Sequence, residues 1–200
     1  MKKKTHYVKA RVLKLAFASA SLILVLTTLG SCNNAKRADP KDVATEHNDA
    51  KFDNKGKDDA KFLVKAAEIN LEEIQLGKLA QTRGTALHVS ELGKMMVTEH
   101  TKAMADLQIL AAKKQITIPT TITDNGMESN KRLMDTKASN FDKEYADMMV
   151  SGHKDAISKF ESASTDAKDA DIRNWASSML PALRKHLDHS ITCQKECEKK

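Results

Sequence analysis

Residues 139–164 read SNFDKEYADMMVSGHKDAISKFESAS. Phe141, Tyr145, Met149, Ala156, Phe160 and Ala163 recur at steps of three, four and seven, the spacing of one face of an α-helix. Ser139 and Asp142 form a capping-box pattern, which predicts a helix starting at Ser139 and running to about Ser164. The position that the stripe skips, between Met149 and Ala156, is His153. A polar, titratable side chain is thus aimed at an apolar interior.

The same pattern extends outward in both directions. A helix is predicted over 59–81, with the stripe Phe62, Ala66, Ile69, Leu76, Ala80 and a stop at Gly84. A second runs over 85–114 on Val89, Leu92, Met96, Ala103, Leu107 and Leu110. A short helical piece is expected at 127–137, and a last long helix at 171–196 on Ile172, Trp175, Met179 and Leu183. Pro181 should kink that helix, because proline removes a backbone hydrogen bond. The segment Ile116–Ile122 alternates like a strand, but Pro119 and polar flanks make it a loop. The expected fold is all-α: an antiparallel four-helix bundle with an extra short helix between the second and third long helices.

Each stripe skips one polar position: Glu73, His100, His153 and His186. Burying such groups is costly unless they pair or ligate something, and one inward metal-capable residue per helix is how bundle metal sites are built. Two of the histidines end similar segments, MMVTEH (95–100) and MMVSGH (148–153). Met96 and Met149 therefore share a face with them as further soft donors, and Glu99 is within reach of the same space or faces water. Copper, iron or zinc would suit these donors. The competing expectation is a buried Glu–His hydrogen-bonded network that only sets packing. The di-iron pattern Glu-x-x-His is missing, since Val97, Val150 and Leu183 stand three residues before the histidines. No phosphate loop, nucleophile elbow or zincin motif is present, so no catalytic residue is assigned and enzymatic activity is not expected.

The last helix carries His186, His189, Cys193 and Cys197 on one side. A Cys193–Cys197 disulfide ranks first for this group, thiols second and a soft metal site third.

The N-terminus carries an address. Lys2, Lys3, Lys4, Lys9, Arg11 and Lys14 precede and enter an apolar run that closes on Leu29-Gly30-Ser31-Cys32. A basic start, a short apolar stretch and small residues at the cut make residues 1–31 a secretory signal. The closing motif resembles the lipobox of bacterial lipoproteins, which implies cleavage before Cys32 and a lipid on its sulfur. Residues 32–57 are polar and read as a flexible tether, ahead of a domain over 58–198. The expected location is the cell envelope, with the chain lipid-anchored, by expectation to the outer membrane, and its domain facing the periplasm. The six basic residues before Cys32 account for the whole net charge of +6. Neutral overall after cleavage and only 4% aromatic, the chain lacks the basic face and stacking platforms that nucleic acids require. Protein partners are unspecified, and self-association is compatible with the sequence.

The segments DAKFLVKAAEINLEEIQLGKLA, MMVTEH, FDKEYADMMVSGH and LPALRKHL, spread over residues 58–192, resemble an exported bacterial family, domain of unknown function 4142. The resemblance implies a ferritin-like bundle in the envelope, with recurrent positions at Glu73, His100, His153 and His186. It implies no activity. The leading expectation is a membrane-anchored bundle that binds a transition metal in a metal-handling or stress role. A purely structural envelope module comes second and a ferritin-like redox enzyme last.

Overall fold

The computed structural model describes residues 37–199, in which there are six α-helices and no strand. They are α1 (Pro40–Lys51), α2 (Asn54–Arg83), α3 (Leu87–Lys114), α4 (Asp124–Asp135), α5 (Ala138–Asp166) and α6 (Ala170–Glu198). The signal segment and Cys32 lie outside the described residues. No described helix is long and apolar enough to cross a membrane.

The four long helices form two hairpins, α2–α3 and α5–α6, closed by the short connections 84–86 and 167–169. The hairpins meet through α2 against α5 and α3 against α6. At one end of the interior, Phe62 packs edge to face on Phe160 and Trp175, which are tilted against each other, with centroids 5.1–6.0 Å apart. The other end is filled by Leu76, Val89, Met96, Phe141, Tyr145 and Met149, all buried.

Glycine makes the α2–α3 contact close. A methyl group on Gly77 would lie 2.8 Å from the Gly93 carbonyl oxygen, and one on Gly93 would lie 2.7 Å from the Gly77 oxygen. Gly84 does end α2, but with φ −58°, so it does not adopt the left-handed cap conformation. A Cβ there would meet the Ala80 oxygen at 2.6 Å and Val89 at 2.8 Å, so space selects glycine. The left-handed cap is instead Gln115 (φ 55°), which ends α3.

Two buried carboxylates hold the hairpin turns reciprocally. Asp142 on α5 accepts from Thr85 N (2.9 Å), Thr85 Oγ1 (2.6 Å) and Ala86 N (3.0 Å), where α3 begins without a side-chain cap of its own. Asp59 on α2 accepts from Lys168 N (2.8 Å) and Asp169 N (2.7 Å), just ahead of α6. The capping box expected of Ser139 and Asp142 is therefore not formed. Helix α5 starts at Ala138 with no side-chain cap, because Asp142 faces the amides of the opposite hairpin.

Of the tether expected over 32–57, residues 32–36 lie outside the described residues, and the part from Pro40 onward is corrected by α1 and by the early start of α2. Pro40 stands at the start of α1, where a missing N–H costs nothing, and the Asp39 side chain caps Lys41 N. Asp53 caps α2 through Gly56 N, so Gly56 lies inside a first helical turn. Helix α1 buries only Ala44 and Asn48 and is held by polar contacts, which is why it shows no apolar stripe. Asn48 pairs with the backbone of Thr117 in both directions, at 2.7 and 2.8 Å. The expected short helix exists as α4, begun three residues earlier by the Thr123 cap. Helix α6 continues through Pro181 as one element.

Candidate metal centre

His100 on α3, His153 on α5 and His186 on α6 are all buried and face one another. Their ring centroids are 5.6, 5.2 and 5.4 Å apart. One nitrogen from each ring falls within 4.8 Å of the other two. Three imidazoles taken from three helices thus converge on one point in the interior.

Hydrogen bonding fixes the protons of two rings. The Asn70 amide donates from Nδ2 to the Ala66 carbonyl at 2.9 Å, which leaves Oδ1 as an acceptor. His100 Nδ1 lies 2.9 Å from that oxygen and must donate to it. His153 Nδ1 lies 2.8 Å from the Met149 carbonyl and must donate too. In each neutral ring Nε2 then carries a lone pair, and both Nε2 atoms are buried without a partner. His186 Nδ1 is buried without a partner as well. Burial pushes all three basicities down, His100 well below the ordinary value and His186 to about 4. Neighbouring histidines add to the shift of His100 and His186. The rings are therefore neutral at pH 7, the state that donates a lone pair to a metal.

Glu73 does not join this set. Its Oε1 lies 3.8 Å from His153 Nδ1, the nitrogen already bonded to Met149, and Oε2 has no partner. Burial, then the charge of Glu72, raises the Glu73 carboxyl well above the usual range. Room for it comes from Gly152, where a Cβ would stand 3.2 Å from Oε1. The buried Glu–His hydrogen bond expected as the alternative is not made at this distance. Met149 serves the centre through its carbonyl oxygen, Met96 is fully buried core, and Glu99 is exposed.

A cavity of about 240 Å³ reaches His100 and His186 from the side. Its lining includes the buried Asn70 and Phe160 and the half-buried Trp175, together with the exposed Glu99, Lys102 and Asp106. Sequence reasoning selected the three histidines through the stripes but passed over Asn70. Its signal was position: Asn70 stands one turn after Ala66 and follows the stripe residue Ile69.

A second set gathers near the end of α6. His88 on α3, Cys193 and Cys197 present ligand atoms within 4.8 Å of one another. Cys193 and Cys197 stand as thiols one turn apart in unbroken helix, not as the expected disulfide. His189, grouped with them by spacing, is exposed, and His88 from the other hairpin takes that place.

Residues 43–192 match the family described as Domain of unknown function (DUF4142). The chain belongs to this family. No curated protein and no solved structure matches it. The DUF4142 match begins inside α1, so the first helix belongs to the family's domain, which extends further toward the N-terminus than 58–192.

Proposed function

We propose that this DUF4142 chain is a non-catalytic, lipid-anchored protein of the bacterial cell envelope, which binds one transition-metal ion at His100, His153 and His186. Its four long helices are read as an antiparallel, ferritin-like bundle, with α1 and α4 added to it. The observation that carries the metal reading is the convergence of three neutral, buried imidazoles, one nitrogen of each within 4.8 Å of the other two, on rings that each carry a buried nitrogen without a partner. Leaving such nitrogens unbonded costs about 1–3 kcal/mol each, and a shared ion removes that cost. Nitrogens about 2.0–2.1 Å from one ion at tetrahedral angles stand roughly 3.3–3.4 Å apart, so small ring rotations complete the site.

The donor set selects among metals. Three imidazoles without a carboxylate favour copper or zinc over iron, whose non-haem sites use two histidines and a carboxylate. Asn70 and the Met149 carbonyl act as the outer supports that orient metal-binding histidines. The side cavity leaves access for a fourth, exchangeable ligand. This suits a carrier or buffer of metal in the envelope.

The anchor reading rests on Cys32 and the segment before it. Helix α1 starts at Pro40, so seven residues separate it from Cys32. Their full extension is about 25 Å, which would keep the domain close to the headgroups.

The test is metal content and melting of the untagged chain, against His100→Ala/His153→Ala. After exposure to copper, zinc and iron, the wild type should hold one equivalent of copper or zinc at the centre, and the variant should lack it. At metal concentrations about 100-fold above Kd, binding at the centre adds roughly 2.7 kcal/mol to the wild type beyond any metal-dependent gain of the variant. Equal metal in both proteins sinks the reading of the central histidines. The anchor is tested separately: Cys32→Ser should move the chain from the membrane fraction to the soluble one.

A further inference from the structure

The thiols at the end of α6 play no part in the central site, and they do not stand alone. Cys193 is buried, and its partner one turn on, Cys197, is half-buried. Across the helix pair, His88 Nε2 lies 3.4 Å from Cys197 Sγ. All three ligand atoms fall within 4.8 Å of one another. Two sulfurs about 2.3 Å from one ion stand roughly 3.7–4.0 Å apart, so the spacing needs only a small contraction.

A cavity of about 280 Å³ opens on this cluster. Its lining includes His88, Cys193 and the thioether-bearing Met95, with Glu91, His189 and Glu196 as well. Sulfur and imidazole face the cavity together, and an ion entering it meets carboxylates and a further imidazole beside them. The three clustered donors are two thiols and one imidazole, with no oxygen ligand among them. That chemistry selects a soft, thiophilic d10 cation.

We propose that His88, Cys193 and Cys197 form a second metal site, which takes one soft d10 cation, Cu(I) or Zn(II), independently of the central histidines. Both thiols lose their protons to solvent as two metal–sulfur bonds form, and no electron changes hands. Cu(I) is complete with three such donors. Zn(II) takes a fourth from the cavity: a carboxylate of Glu91 or Glu196, the His189 imidazole, or water. The site ties the end of α6 to the start of α3, so binding joins the two hairpins at that end.

The experiment uses the full chain, kept reduced, and Cys193→Ser/Cys197→Ser beside the His100→Ala/His153→Ala variant. Each is titrated with Cu(I) against a chromogenic chelator, with Zn(II) against another, and with Cd(II) as an optical probe of thiolate ligation. The wild type and the histidine variant should each show a thiolate-to-Cd(II) charge-transfer band saturating at one equivalent. The cysteine variant should show none while still binding metal at its central histidines. Cys197→Ser alone, a change at a half-buried position near the chain end, should weaken binding at least tenfold without loss of helix by circular dichroism. His88→Ala should weaken it as well. A wild type without the thiolate band, or a cysteine variant that keeps it, overturns the proposal. Neither result touches the central site, whose loss is read from the histidine variant.

Discussion

At the scale of single residues, Asn70 decides which nitrogen of His100 is available. Its amide is held by the Ala66 carbonyl, so only its oxygen faces the ring, and the ring must turn its lone pair inward. Removing such a support typically costs a metal site about 10–100-fold in affinity. Asn70→Ala should therefore weaken metal binding at the central site by that factor and leave the stoichiometry at one. Asn70→Asp should restore binding, because a carboxylate accepts the same proton. Competition titrations against a chelator measure both. An unchanged affinity in Asn70→Ala would show that His100 is oriented by packing alone. His100, His153 and His186 were legible in the sequence because each interrupts an apolar period that a helix must keep. Glu73 satisfies the same period yet stands off the converging face. Periodicity specifies which side of a helix a residue occupies, but not its height along the axis or the turn of its side chain. Asn70 was missed for a related reason: it has value only in relation to His100, thirty residues away.

At the scale of elements, the helices were legible as amphipathic stripes, while their junctions were not. The α2–α3 crossing depends on Gly77 and Gly93, each standing where a Cβ would strike the other's carbonyl. No one-dimensional pattern announces that two glycines sixteen residues apart will face each other. Gly93→Ala places its methyl group 2.7 Å from the Gly77 oxygen and 2.8 Å from Ala80 Cβ. Those atoms are backbone and a short side chain, so the helices must part. The expected loss is about 1–3 kcal/mol, read from urea unfolding. His100 lies seven residues beyond Gly93 on the same helix, two turns along. The separation should thus also loosen metal binding. A variant as stable as the wild type would show that the crossing has slack. Asp59 and Asp142 belong to the same class of hidden junction. Each reads locally as an ordinary helix-start acid, yet its hydrogen bonds go to the turn of the other hairpin.

At the scale of the whole molecule, the first helix and the α3–α4 connection are secured by one buried acid. Glu68 on α2 is fully buried and binds Lys65 at 2.9 Å, Asn125 at 2.9 Å and Thr123 at 3.2 Å. Lys41 of α1 reaches it at 3.4 Å. Three elements thus share one carboxylate. The part of the sequence that looks like a polar leash is folded because its lysine has this partner and its asparagine has Thr117. Polar docking of this kind leaves no apolar stripe, so composition alone could not reveal it. Burial raises the Glu68 carboxyl, but the Lys65 hydrogen bond, the charges of Lys65 and Lys41 and the Asn125 bond outweigh it, and the net shift is downward. A carboxyl whose folded value lies below its unfolded one contributes stability above the unfolded value, near 4.5, and that contribution is lost as pH falls through the folded value. Glu68→Gln keeps an acceptor for Asn125 and Thr123 while removing the charge. At about pH 7 it should cost about 1–3 kcal/mol, toward the lower end because both lysines are one-third exposed and can turn to water. The gap between wild type and variant should narrow as pH falls below about 4.5, since both then carry a neutral group. Urea unfolding of the metal-free proteins along that pH series measures it. A gap that persists or widens in acid would mean that shape and hydrogen bonding at Glu68, not its charge, hold α1 and α4 to the long helices.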